Sequence, residues 1–402
     1  MYVQSAIRRD ETILRLGGDG YIAAMTWTTD DRQLVALIDG PGWPRDGGET
    51  YSSRLFALSG LASNAQVDDV TGYPSITNWE YVQDAITLYF GLSVLAVDEH
   101  IYQFLGTHDR KFSISQYRPT KPKEDPNLTN AKLIHSPDKG RTWFNQDGST
   151  PVVLKQRQSR DNMMFYQERD GAFSFLSFLQ MGKGYSENRD GYVYGYSPNG
   201  TSEGSMNELV MLRVAKNAVL DRDGYSYFAG RGTGGATEWT PNIEARVPVI
   251  TFPSGWVPTP LAMAWLPSVV YNAPLGIYMM ANCSGIRADC LSEHATYLGF
   301  WIADHPWGPW RQIHEEKAWT PGGDLAARAC APQIAPKWIA QDGKSFWLVW
   351  TDIQKTTTED VDTPLFNFTP RTVDEWIRVR RRWGYFHPYF GFNCQRVDLT
   401  VA

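Results

Sequence analysis

The sequence predicts an all-β protein, and three observations carry that expectation. The 402-residue chain contains 35 Gly and 24 Pro, which interrupt it every few residues; it is rich in strand-forming aromatics, with 16 Trp and 20 Tyr; and its apolar runs are short and end in turns rich in Asp and Gly. With 42% hydrophobic and 20% charged residues, the chain has ample material for a large core and lacks the composition of a disordered segment.

The β-rich runs are "AAMTWTTDDRQLVALIDG", "ITLYFGLSVLAVDEHIYQFLG", "DGYVYGYSPNG", "SVVYNAPLGIYMMANCSG" and "DGKSFWLVWTD". Several share one layout, an apolar strand, a tight turn and a second strand with aromatics, which is a repeated β-hairpin. A helical period persists only in "TVDEWIRVRRRW", expected to be one short helix or an edge segment. Grouping the hairpins gives units near 11–80, 81–160, 161–250, 251–325 and 326–402, each with room for about four strands. Such spacing predicts a β-propeller, in which radial four-stranded sheets protect one another's edges. Five blades fit best, six or seven smaller ones remain open, and a two-sheet sandwich is the competing architecture. Nothing reads as a linker, so residues 1–402 form one domain.

A net charge of −6 offers no basic field for a nucleic-acid backbone, and the run Arg378, Arg380, Arg381, Arg382 is too local to reverse it. No apolar stretch is long enough to span a membrane. A monomer is expected. Met1 is followed by "YVQSAIRRDE" rather than an apolar leader. Two features nonetheless favour secretion after removal of a signal. Cys283 and Cys290 frame the polar loop "NCSGIRADC", which can close as a small disulfide, and Cys330 and Cys394 fall in one C-terminal unit, although four Cys allow three pairings. Glycosylation sequons stand at Asn127, Asn199, Asn282 and Asn367.

"HSPDKGRTWF" contains Ser136, Asp138, Gly140, Thr142 and Trp143 in the pattern S-x-D-x-G-x-T-W. Asp accepts backbone N–H bonds in a turn, Gly takes positive φ, and Trp buries its indole against the turn. The pattern resembles the Asp-box of sialidases and other propellers, which implies a hairpin at 136–143 between outer strands, away from ligand.

Longer stretches resemble a group of carbohydrate-active propellers that includes endo-D-arabinanases. They are "MTWTTDDRQLVALIDGPGW", "LVMLRVAKNAVLDRDGYSYFAG", "SVVYNAPLGIYMM", "FWIADHPWGPWRQI" and "PKWIAQDGKSFWLVW". In overall character the chain also resembles the fungal lyases that remove L-rhamnose capping glucuronate on arabinogalactan side chains. Both resemblances imply a plant-type polysaccharide or oligosaccharide as substrate and differ in chemistry.

A glycosidase needs two carboxyl groups facing one bond. Asp30, Asp31 and Asp39 are the candidates: Asp39 ends "LVALID" before "GPGW", while Asp30 and Asp31 sit in a turn where Asp also serves local hydrogen bonding. A uronate lyase must neutralise the sugar carboxylate and move a proton from a carbon acid. "LGTHDRKF" supplies His108, able to accept and return that proton, with Arg110 beside it. Arg189 in "YSENRDGYVYGY", near Tyr192, and Arg231 in "FAGRGTGGATEW" offer guanidinium forks for a carboxylate. Trp43 is the candidate stacking platform among Trp27, Trp43, Trp79, Trp265, Trp301, Trp307 and Trp310, whereas "PWGPW" reads as an inter-blade plug. The seven His show no zinc-binding spacing, and no G-x-S-x-G elbow appears. No cofactor is required, and a structural Ca²⁺ held by scattered Asp and carbonyl oxygens has no sequence signature.

The sequence-level expectation is therefore a secreted glycan-cleaving propeller, with β-elimination at glucuronate by His108 with Arg110, Arg189 and Arg231 preferred. Hydrolysis through Asp39 is the alternative, and a lectin-like propeller without catalysis is the third reading.

Overall fold

A computed structural model describes residues 2–43, 51–77, 81–82, 85–86, 89–107, 112–113, 129–154, 163–200, 207–232, 236–253, 266–283, 296–325, 327, 329–352 and 392–402. The expected helix at "TVDEWIRVRRRW" lies outside these residues.

The described secondary structure is β-strand with a few 3-10 turns. In chain order the strands begin with β1 (Val3–Arg8), β2 (Leu14–Arg15), β3 (Asp19–Trp27), β4 (Gln33–Gly42), β5 (Tyr51–Ser59), β6 (Gln66–Asp69) and β7 (Ile76–Thr77). Next come β8 (Tyr81–Val82), β9 (Ala85–Ile86), β10 (Phe90–Val97), β11 (His100–Thr107), β12 (Phe112–Ser113), β13 (Asn130–Ser136) and β14 (Phe144–Asn145). Then follow β15 (Ser177–Gln180), β16 (Tyr192–Pro198), β17 (Glu208–Ala215), β18 (Ser226–Arg231), β19 (Thr237–Thr240) and β20 (Ile250–Thr251). The last are β21 (Ser268–Asn272), β22 (Ile277–Cys283), β23 (Thr296–Ala303), β24 (Arg311–Trp319), β25 (Ala329–Ile339), β26 (Ser345–Asp352) and β27 (Asn393–Val401).

Hydrogen bonding sorts most of them into antiparallel fans that each start with an inner strand: β3-β4-β5-β6, β10-β11-β13-β14, β15-β16-β17-β18-β19, β21-β22-β23-β24 and β25-β26-β27-β1. The inner strands β3, β10, β15, β21 and β25 pack one against the next, and β25 returns to β3, so the fans close a ring. Between β15 and β21 the contact is a parallel pairing, Leu179 with Val269, as expected when inner strands all run the same way. The strand before residue 11 does not belong with the first fan. β1 is the outermost strand of the last fan, paired with β27 through Ala6 and Leu399, so the two ends of the chain share a sheet.

The inner and middle strands of the fans are buried on both faces, which is why they read as continuous apolar runs rather than alternating ones, while the outer strands β6, β19 and β24 are largely exposed or half-buried. Phe104, Phe165, Tyr166, Phe178 and Leu212 join the second and third fans; Phe300, Trp319, Leu348 and Trp350 join the fourth and last. Trp319 and Trp350 are wholly buried, and truncating either to Ala would cost about 3–5 kcal/mol.

The Asp-box is a hairpin device, as its sequence implies. The Ser136 hydroxyl donates to Asp138 Oδ1 at 2.8 Å and accepts from the Gly140 amide at 2.8 Å. Asp138 in turn accepts from the Arg141 and Thr142 amides at 3.1 and 2.8 Å and from the Thr142 hydroxyl at 2.8 Å. Gly140 has φ +92°. The buried Trp143 indole donates to Gly140 O at 3.1 Å and meets Tyr73 edge to face. The turn joins β13 to β14, on the outside of the second fan.

Because the inner strands are parallel, the ring has two unlike faces. At the turn face, inner strands pass into second strands through residues 28–32, 98–99, 181–191, 273–276 and 340–344, most of them short hairpins. At the opposite start face the second strands end at Gly42, Thr107, Pro198, Cys283 and Asp352, and the third strands begin at Tyr51, Asn130, Glu208, Thr296 and Asn393.

Candidate functional site

The backbone is irregular where three inner strands begin. β3 bulges between Tyr21 and Ala24, β10 between Gly91 and Ser93, and β25 between Cys330 and Gln333. Four buried apolar residues at or just before the beginnings of inner strands have positive φ: Ile22 (54°), Phe173 (60°), Leu266 (45°) and Ala331 (49°). Left-handed backbone is unfavourable for a residue with Cβ, and for β-branched Ile22 it is an outlier. At the other face Asp31, Asp98 and Lys139 adopt positive φ in turns, where Asp tolerates it, and so does the buried Tyr185 in the 181–191 connection.

Around the start of β25 lies a buried polar cluster. Asp352, the last residue of β26, has a fully buried side chain 4.0 Å from the Arg15 guanidinium, which donates to Asn393 Oδ1 at 3.0 Å. The Cys330 thiol donates to Thr351 O at 3.2 Å. Burial pushes the Cys283 thiol up to about 12 and the Cys330 thiol well above its ordinary value, so both are protonated at neutral pH and neither acts as a thiolate nucleophile.

Asp352 was overlooked in the sequence although a signal existed. "FWLVWTD" in β26 and "LVALID" in β4 are second strands of neighbouring fans that both run into Asp. The ladder Tyr21 with Ile38 and Asp19 with Gly42 brings the backbone of Asp39 to the same face as the start of β3, which itself begins on Asp19. The start face therefore carries the backbone of Asp19 and Asp39 in the first fan and Asp352 at the end of β26 in the adjoining one.

Asp31, proposed beside Asp39, is at the other face. Eight residues of extended chain separate the two along β4, roughly 26 Å. Asp31 lies in the β3–β4 turn, where its carboxylate accepts from Lys337 Nζ at 3.0 Å and Trp27 Nε1 at 3.0 Å. Its burial pulls its pKa up, but these bonds and the Lys337 and Lys183 charges outweigh that and hold it below the usual value. Asp30 is held likewise by Thr28 and Arg32. Both are structural turn residues.

Of the lyase set, His108 and Arg110 lie outside the described residues, after β11 ends at Thr107. Arg189 belongs to the turn face: neighbouring Gly184 O accepts from the Asp98 amide at 3.0 Å, and Lys183 Nζ is 3.6 Å from Asp31. Its exposed side chain pairs with Glu187 at 2.9 Å. Tyr192 starts β16 at the same face, its ring under the Arg213 guanidinium at 4.4 Å. Arg231 sits on the outer rim and donates to Trp307 O at 2.9 Å, linking the third and fourth fans.

Trp43 is not an open platform. Its indole donates to Leu16 O at 2.9 Å and packs against Phe56, Phe392 and Gly18. Trp301 is core; Trp307 and Trp310 pack on the core beside the third fan, where Tyr196 donates to Pro306 O at 2.6 Å. Trp79 and Trp265 lie outside the described residues.

Cys283, expected to bond Cys290, is a free buried thiol at the end of β22, as are Cys330 and Cys394 on their strands; Cys290 is outside the described residues. Of the sequons, Asn282 is buried in β22, and Asn199 spends its amide on Glu208 at 2.8 Å. Asn127 and Asn367 are outside the described residues. Among the described residues no three His, Cys, Asp or Glu side chains are grouped to hold a metal ion.

No protein-family model matches the chain, and no curated protein sequence matches it. Among solved structures the chain is similar to a protein of Bacteroides ovatus ATCC 8483, with 15% identity and a TM-score of 0.49 over 95% of this chain and 87% of that one. It is similar also to the alpha-L-arabinofuranosidase PaAbf62A of Podospora anserina, with 9% identity and a TM-score of 0.42 over 100% and 95%. A third is the xylan beta-1,4-xylosidase of Bacillus halodurans C-125, with 10% identity and a TM-score of 0.44 over 85% and 51%. Likeness at this level carries no statement about activity, and the propeller fold rests on the strand order and the closed ring of inner strands.

Proposed function

We propose that the chain hydrolyses glycosidic bonds of a polysaccharide at the start face, with Asp39 and Asp352 as its acid and base or nucleophile pair. One observation carries the reading: Asp39 and Asp352 occupy matching places in the second strands of adjoining fans, each following the residue that pairs with the inner strand just before its bulge, on the face where the inner strands begin. In such a pair one carboxyl protonates the leaving oxygen, while the other attacks the anomeric carbon or activates water. Arg15 beside Asp352 supplies an opposing positive charge in a buried setting. The carbohydrate substrate class rests on the resemblance of the hairpin stretches to arabinan-active propellers. Elimination at a glucuronate loses support because Arg189 and Arg231 sit away from the start face.

The test is product analysis on arabinan and on uronate-capped arabinogalactan. New reducing ends without ultraviolet-absorbing unsaturated uronate support hydrolysis. Unsaturated uronate restores the lyase reading, and binding without cleavage of either glycan favours the lectin.

A further inference from the structure

We propose that the strained bulges at Ile22 and Ala331, on the neighbouring inner strands β3 and β25, are a positioning device that holds the start face in its working geometry. The inference rests on the start face being the site of cleavage.

Strain of this kind persists only where the surroundings over-determine it, and around Ala331 they do. The Thr296 hydroxyl donates to Ala329 O. β22 packs along β25, and the Ile334 amide donates to Ser268 Oγ at 2.9 Å. The fourth fan thus grips β25 before and after the bulge. On the other side β3 packs along β25 and carries its own bulge, with Ile22 wholly buried. A bulge bends its strand and re-aims the residues beside it. Here those residues are Tyr21 and Cys330, which pair with Ile38 and Thr351, the residues just before Asp39 and Asp352. Ordinary packing does not call for strain at these positions, because a Gly at 331 would relieve it while removing only one methyl group.

The test compares Ala331→Gly with Asp98→Gly. Asp98 also has positive φ, 51°, but lies in a turn-face hairpin outside the proposed machinery. Ala331→Gly relieves left-handed strain and should raise Tm by about 1–2 °C, whereas Asp98→Gly, at a position where Asp tolerates that backbone, should leave Tm within about 1 °C. Only Ala331→Gly should lower kcat, by about fivefold or more with KM within about twofold, on whichever of the two glycans the wild type cleaves. It should also speed amide exchange in residues 20–25 and 329–334 despite the higher Tm, whereas Asp98→Gly leaves exchange there unchanged. A higher Tm with unchanged kcat and unchanged exchange overturns the proposal, and so does an unchanged or lower Tm for Ala331→Gly. Absence of any glycan cleavage by the wild type counts against the hydrolase reading instead; the exchange measurement then decides whether the bulges hold the face.

Discussion

Replacing Asp138 by Ala separates scaffold from chemistry. The Asp138 carboxylate accepts four bonds, from the Ser136 and Thr142 hydroxyls and the Arg141 and Thr142 amides. Each intramolecular hydrogen bond contributes about 0.5–1.5 kcal/mol net. Because Arg141 and Thr142 are exposed, water recovers part of the loss, and a cost near 2 kcal/mol is the reasoned figure. In a chain of this size that is a Tm decrease of roughly 2–4 °C. The same geometry fixes a pH dependence. Burial pulls the Asp138 pKa up, but the bonds from Thr142, Ser136 and Arg141 outweigh it, so its folded pKa lies below the usual carboxylate value. A depressed carboxyl contributes stability above its unfolded pKa, about 3.9, and loses it as pH falls through the folded value. The difference in Tm between wild type and Asp138→Ala should therefore be full at pH 6 and shrink below about pH 4. Differential scanning calorimetry across pH measures it, with kcat followed at neutral pH on folded protein. An unchanged Tm with abolished turnover would refute the placement of the Asp-box in the scaffold.

Other outcomes follow from the same contacts. Asp352→Asn should reduce hydrolysis by about 10³-fold or more while far-ultraviolet circular dichroism stays that of the wild type; retained turnover would remove Asp352 from the proposed pair. Asp31→Ala should cost about 1–2 kcal/mol, since it takes a carboxylate from the largely buried Lys337 side chain and puts Ala at φ 68°, and leave kcat unchanged in a steady-state assay. Glu316 is raised by burial but lowered more by His314 and Arg8, so Glu316→Gln should flatten the acid limb of a Tm–pH curve below about pH 4.5; an identical limb contradicts this. Cys283, buried and with its thiol pushed up to about 12, should resist a thiol reagent until the chain is denatured, and rapid native labelling at that residue would refute its burial.

The strands, the hairpins and the Asp-box were legible in the sequence because each is a local event: turn residues at fixed offsets, apolar runs of strand length, a Gly able to take φ +92° at position 140. Which residues share a face of the ring was not, because that depends on strand direction. His108 and Arg189 both follow or precede a strand end and look alike in the sequence, yet β11 runs toward the start face and β16 away from the turn face where Arg189 sits. The sequon at Asn282 and the presumed loop cysteine Cys283 misled for a second reason. β22 is buried on both faces, so no polar alternation marks these residues as interior. Trp43 was misplaced because a Trp after a Gly-Pro-Gly turn can point outward or fold back, and only Leu16, Phe56 and Phe392, distant in the chain, decide that it folds back. Asp352 could have been found by comparing the ends of "LVALID" and "FWLVWTD".

The central claim is that cleavage happens at the start face and not at the turn face. The most direct measurement is the initial rate of reducing-end release from arabinan by Asp39→Asn and Asp352→Asn set beside Asp31→Asn and Arg189→Ala, all confirmed as folded. Loss of about 10³-fold in the first pair with rates near wild type in the second is predicted. Normal rates in the first pair with loss in the second would contradict it.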